Sequence, residues 1–151
     1  MDALEFSERL RGVLSDAREE ATRLQHEHVG TEHMLLALLR DGERSDNRSP
    51  SPAIVVLDLL GIDRQKMRHV IEQTVLRGRV PTEREQVGYT SRAKAVLELA
   101  MAEARVLKHE HVGTEHLLLG LAREERGVAA QILLDQGVTT EKVRAEVAKV
   151  R

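Results

Sequence analysis

The octapeptide His26-Glu27-His28-Val29-Gly30-Thr31-Glu32-His33 recurs letter for letter at His109 to His116, 83 residues further along the chain. Residues upstream keep the same offset. Phe6, Arg9, Val13, Leu14, Ala17, Glu20, Ala21 and Leu24 fall on Tyr89, Arg92, Val96, Leu97, Ala100, Glu103, Ala104 and Leu107. A duplicated ancestral unit explains this self-similarity better than chance. Downstream, Leu35 and Leu36 still fall on Leu118 and Leu119, but Ala53 to Gly61 meets Ala129 to Gly137 only at an offset of 76. The first copy therefore carries seven extra residues, within the Ser-, Asp-, Asn- and Arg-rich stretch Asp41 to Pro52. That stretch has no apolar period and reads as a solvated loop. Trimming Arg44 to Ser49 to the length of the second copy is expected to leave the thermal midpoint nearly unchanged.

The apolar spacing is helical in both copies. Leu10, Val13, Leu14, Ala17, Ala21 and Leu24 recur at three- and four-residue steps, with Arg9, Arg11, Asp16, Arg18 and Glu19 on the other face. Ala93 to Leu107 repeats this first helix. A second helix is predicted to start at Thr31 and at Thr114, each threonine capping free amides and each followed by an acid in the first turn. Met34, Leu35, Leu38 and Leu39 then face inward. Ser51 followed by Pro52 reads as an N-cap and first helical residue, opening a third helix that Gly61 closes, as Gly137 closes its copy. A fourth runs from about Asp63 with Met67, Val70, Ile71 and Val75 inward, matched by Val143, Val147 and Val150. No segment shows sustained strand alternation. The expectation is an all-α fold: two tandem four-helix repeats packed into one pseudo-twofold eight-helix domain spanning 1–151, with repeat one at about 4–77, a linker at 78–88 and repeat two at 89–151. A single copy of about 70 residues would be only marginally covered on its own. Leu14, Leu35, Leu97 and Leu118 are expected to be buried.

Composition narrows the function classes. Cysteine is absent, so neither disulfides nor thiolate metal sites arise. No run approaches the length of a membrane span, and Met1 to Arg11 lacks a signal-peptide core, which makes a cytoplasmic protein the expectation. Twenty-three basic against 25 acidic side chains, with one Phe, one Tyr and no Trp, offer neither a phosphate-tracking surface nor stacking platforms. Nucleic acid is not an expected partner. No nucleophile elbow and no P-loop occurs, so the chain is not expected to be an enzyme, and any ATP-driven motor lies elsewhere.

Six of the seven histidines lie in the octapeptides. Zinc-protease helices need His-Glu-x-x-His or His-x-x-Glu-His, whereas His28-Val-Gly-Thr-Glu-His33 has one residue too many and a glycine in its middle. We therefore expect no metal and no cofactor, and histidines that fix the loop by hydrogen bonds. A metal-binding or regulatory helical protein using these segments is the alternative. Ser7 and Thr90 each precede an amphipathic helix, where a hydroxyl caps free amides and the helix end attracts anions. Glu32 and Glu115 serve either as solvated first-turn charges or as carboxylates for a guanidinium fork.

Phe6-Ser7-x-Arg9, Ala17-x-x-Glu20-Ala21, Leu24-x-His26, Val29-Gly-Thr-Glu-His33, Tyr89-Thr90-x-Arg92-Ala93, His111-Val-Gly-Thr-Glu-His116, Leu117-Leu-Leu-Gly-Leu121 and Gly127-Val-Ala-Ala130 together resemble the N-terminal repeat domain of Clp-class AAA+ unfoldases, in its ClpC-like branch. The resemblance spans residues 4 to 151. It implies an eight-helix domain that sits on a hexameric ATPase and recruits adaptor proteins and protein substrates for unfolding and proteolysis. It also implies binding of phosphorylated arginine, with Glu32 and Glu115 on the guanidinium and Ser7 and Thr90 on the phosphoryl group. Ser7 stands where the family usually has threonine. As an isolated domain the chain is expected to be a monomer. Two equivalent sites per chain are expected, and replacing both glutamates, taken as exposed, should remove binding without loss of helix.

Overall fold

The computed structural model describes residues 5–41, 49–75 and 88–150. Most of the insertion, including all of Arg44 to Ser49 except Ser49, and most of the connection between the copies lie outside them, as does the side chain of Val150. Eight helices are described, in the order α1 (Glu8–Arg23), α2 (Thr31–Asp41), α3 (Pro52–Leu59), α4 (Arg64–Thr74), α5 (Ser91–Val106), α6 (Thr114–Arg123), α7 (Val128–Asp135) and α8 (Thr140–Val150). Their starts follow the sequence. Ser7, Ser51, Asp63 and Thr90 are N-caps whose side chains accept from the amides of Leu10, Ile54, Lys66 and Ala93. Pro52 occupies the first turn of α3, and Gly61 and Gly137 have φ of +75° and +82° just beyond α3 and α7, where glycine carries no Cβ penalty.

Four two-residue strands depart from the helical expectation: β1 (Glu5–Phe6), β2 (His28–Val29), β3 (Gly88–Tyr89) and β4 (His111–Val112). β1 pairs with β4 and β2 with β3, both in parallel. Segments this short carry no detectable two-residue alternation; β1 and β3 lead into α1 and α5, and β2 and β4 into α2 and α6. Each pair joins one copy to the other, and exchanging the copies maps one pair onto the other. That is the geometry of an internal twofold.

One apolar cluster draws on all eight helices and contains the stripe Leu10, Val13, Leu14, Ala17, Ala21 and Leu24. α2 and α6 run through its centre. Leu35, Leu36, Ala37, Leu38 and Leu39 are all fully buried, as are Leu117, Leu118, Leu119 and Leu121, so these helices are covered on every side and not only on one face. Burying each leucine contributes about 1.5–3 kcal/mol. Two sequence expectations need correction. Leu97 is only partly buried, and Asp16, assigned to the solvent face of α1, is buried. Arg40 reaches over α1 toward Asp16, Glu19 and Glu20, so the acid is neutralised where the stripe alone would have exposed it.

Where α5 and α6 cross, Gly120 lies so close to its neighbour that a Cβ would sit 2.5 Å from the Val96 carbonyl oxygen. Glu103 in α5 is buried and holds Arg123 of α6 and Arg144 of α8 at 2.8 and 3.0 Å. A single carboxylate thereby ties three helices together.

Candidate functional site

The repeated octapeptide forms the loop that enters α2 and α6. Gly113 is the N-cap of α6, and the Gly30 carbonyl likewise accepts the first amides of α2, so Thr31 and Thr114 are first helical residues and not caps. Their hydroxyls work elsewhere. Thr31 Oγ1 accepts from the Ala129 amide at 3.2 Å and Thr114 Oγ1 from the Ala53 amide at 3.1 Å. Each threonine thus satisfies a free amide in the first turn of a helix from the other copy. Gly127 must be small there, since a Cβ would approach Thr31 Oγ1 to 2.8 Å.

The buried histidines His33 and His116 reach back to the loop. His33 Nδ1 accepts from the Gly30 amide and His116 Nδ1 from the Gly113 amide, both at 2.8 Å. This is half of a capping box, with histidine in the place of the usual Glu or Gln. A ring nitrogen that accepts from an amide holds a lone pair, so the proton of the neutral ring is on Nε2. His33 Nε2 therefore donates to His26 Nδ1 at 2.8 Å, and His116 Nε2 donates to His109 Nδ1 at 2.7 Å. His109, Glu115 and His116 bring three potential ligand atoms within 4.8 Å. The geometry opposes a cation there, because the Nε2 atom that would face it carries a proton and Nδ1 is committed to the backbone. The expectation that these histidines fix the loop agrees with the geometry.

Burial, with smaller contributions from His26 and Arg23, lowers the His33 pKa to about 3. Neutral in the fold and protonated in the unfolded chain below about pH 6.5, it contributes stability that is complete above that pH and lost as pH falls toward 3. Glu103, held below the ordinary carboxylate value by Arg144 and Arg123 against its burial, adds an acid loss only below about pH 4.5. Between pH 6.5 and pH 5, His33 alone is expected to cost about 2 kcal/mol. Urea melts at the two pH values check this. His33→Gln, which keeps an acceptor for the Gly30 amide but does not titrate, is expected to flatten the dependence by about one proton.

A cavity of about 650 Å³ opens beside this loop and is built from both copies. Thr90 N–H donates to the Val29 carbonyl at 2.9 Å, which brings the start of α5 against the start of α2. Glu32, half-buried, and Thr90 therefore line one cavity, with Arg92, Arg126 and Gly127 beside them. The Glu32 carboxylate folds back over Gly30, where an added Cβ would lie 2.2 Å from Oε1. Thr90 Oγ1 accepts from its own helix, leaving its proton to donate. The cavity thus has an acidic wall and a cationic wall carrying a helix start.

Ser7 and Glu115 are brought together in the twofold-related position, where Ser7 N–H donates to the Val112 carbonyl at 2.8 Å. The surroundings differ. Glu115 is fully buried, contrary to the expectation of an exposed first-turn acid, because its helix is covered on all sides. Sequence reasoning missed Arg126 and Gly127 as cavity residues, since they reach it from the start of α7. Arg92 was visible as part of the repeated Tyr89-Thr90-x-Arg92 pattern.

The model of the Clp repeat (R) N-terminal domain matches residues 5–136. The chain belongs to this family. Over 145 residues it is 45% identical to the negative regulator of genetic competence ClpC/MecB of Bacillus subtilis, covering 96% of this chain but 17% of that protein. The Clp repeat fold recurs in the N-domain of ClpV from Vibrio cholerae, with a TM-score of 0.78, 20% identity, and 97% and 84% of the two chains covered. It recurs in a complex of a ClpV N-domain with a VipB peptide, at a TM-score of 0.73, 18% identity, and 94% and 88% coverage. Among the described residues of this Clp N-domain, no helix is long and apolar enough to cross a membrane.

Proposed function

We propose that this Clp N-domain is a non-catalytic cytoplasmic recognition module, which delivers adaptors and protein substrates to a Clp unfoldase, and that it recognises arginine phosphorylated on its guanidinium. The observation that carries this is the two-walled cavity. Glu32 offers a planar carboxylate to a guanidinium, while Thr90, the start of α5 and the nearby arginines offer donors and positive charge to a phosphoryl group. Phosphoarginine has both ends. Free phosphate lacks the cation and arginine lacks the anion. The ClpV N-domain bound to a VipB peptide supports peptide recognition as a task for which this fold is suited.

Calorimetry with phosphoarginine, phosphate and arginine tests the proposal. The whole ligand is expected to bind and each fragment to bind far more weakly. At a hundredfold excess over Kd, phosphoarginine should stabilise the fold by about 2.7 kcal/mol, read as a rise in thermal midpoint. No heat and no shift with phosphoarginine would leave adaptor docking as the function.

A further inference from the structure

We infer that only the cavity between Glu32 and Thr90 takes ligand, that Arg92 is its anion-binding residue, and that the equivalent position around Ser7 and Glu115 has become structural. This rests on the phosphoarginine reading above and departs from the two equivalent sites that the repeat implies.

Arg9 and Arg92 occupy the same place in the two copies, 83 residues apart. Their partners differ. Arg9 Nε lies 3.2 Å from both oxygens of Asp41, and a terminal nitrogen lies 3.1 Å from one of them. Asp41 is buried, so this guanidinium is neutralised by a carboxylate that water does not screen. Arg92 instead donates to the Arg126 carbonyl, and among the described residues no carboxylate pairs with it. Glu124, which aligns with Asp41, accepts from the Arg126 amide. Among the described residues, an incoming phosphoryl group therefore meets a guanidinium without a carboxylate partner beside Thr90, and an already compensated one beside Ser7.

The acidic walls differ in the same sense. Glu32 is partly exposed and lines the cavity, whereas Glu115 is 0% exposed. A guanidinium reaching Glu115 would have to enter a packed interior. A phosphoryl group at Ser7 would meet an Arg9 already paired with Asp41. Charge and access thus both favour one site, and the asymmetry begins at Asp41, where the first copy's insertion departs from the repeat.

Titration of the full chain with phosphoarginine, with melting curves to verify folding, decides the point. One ligand per chain is expected. Arg92→Gln should weaken binding at least tenfold and Arg92→Lys less, while Arg9→Gln should leave affinity and stoichiometry unchanged. If Arg9→Gln fails to fold because Asp41 is left buried alone, Arg9→Gln combined with Asp41→Asn serves instead. Two ligands per chain, or equal losses from the Arg9 and Arg92 variants, would overturn the inference while leaving phosphoarginine recognition standing. Absence of binding to the unmodified protein would overturn both.

Discussion

Glu32→Ala is expected to lower phosphoarginine affinity about thirtyfold or more and to shift the thermal midpoint by no more than about 4 °C. The two numbers come from different environments of one carboxylate. Toward folding, a half-buried first-turn acid contributes about 0.3–1 kcal/mol through the helix dipole, and about 1 kcal/mol moves the midpoint of a chain this size by about 2–4 °C. Toward a guanidinium it would accept two parallel charge-assisted bonds, and its loss leaves a cation unpaired in the cavity. Truncating one partner of such a pair costs about 2–5 kcal/mol, with about 1.4 kcal/mol per tenfold in affinity. Glu115→Ala should do the reverse, altering the melt because that side chain is fully buried. Calorimetry and melting of both variants separate the roles, and undiminished binding by Glu32→Ala would remove the acidic wall from the proposal.

Gly120→Val is expected to destabilise the fold by about 3 kcal/mol or more, lowering the midpoint by roughly 6–12 °C. Helix propensity alone predicts the opposite, since glycine in a helix interior costs about 1 kcal/mol relative to alanine. Sterics win because the first added carbon would already lie 2.5 Å from the Val96 carbonyl and 3.2 Å from the Ala100 amide nitrogen, both backbone atoms that cannot rotate away. α5 and α6 would have to separate, opening contacts around Glu103 as well. Gly12 is the internal control. Exposed in α1 with nothing within 4 Å of the place an added methyl would take, it should gain about 0.5–1 kcal/mol as Gly12→Ala. Thermal melts of the two variants should move in opposite directions.

Much of the fold was legible because local chemistry and burial agree. The serine and aspartate caps, the proline in the first turn of α3 and the closing glycines each act within four residues of themselves, and the stripe of α1 points where its period says. What escaped the sequence depends on partners far along the chain. Asp16 is buried because Arg40 reaches it, and Glu115 is buried because α6 is surrounded. Thr31 and Thr114 look like caps of their own helices, yet their acceptors serve Ala129 and Ala53. In sequence the candidate site is four residues in two alike pairs. The chain holds Glu32 and Thr90 58 positions apart, and the pairing of β2 with β3 and the packing of α2 on α5 bring the two helix starts together. The inequality of Arg9 and Arg92 follows from Asp41, whose departure from the repeat carries no sign of its electrostatic effect.

The exchanged threonine bonds have a consequence for ancestry and assembly. Thr31 of the first copy serves a helix of the second, and Thr114 of the second serves a helix of the first. Contacts that run from i to j and back from j to i define an isologous interface, the kind formed by two identical subunits about a dyad. A lone repeat would leave the amide at Ala53 or Ala129 without its hydroxyl acceptor, a bond that a second identical copy placed about the same dyad would restore. Joining two such units in one polypeptide makes their association intramolecular and frees each half to drift, so the two ends of a symmetric arrangement can come to differ as Arg9 and Arg92 do here.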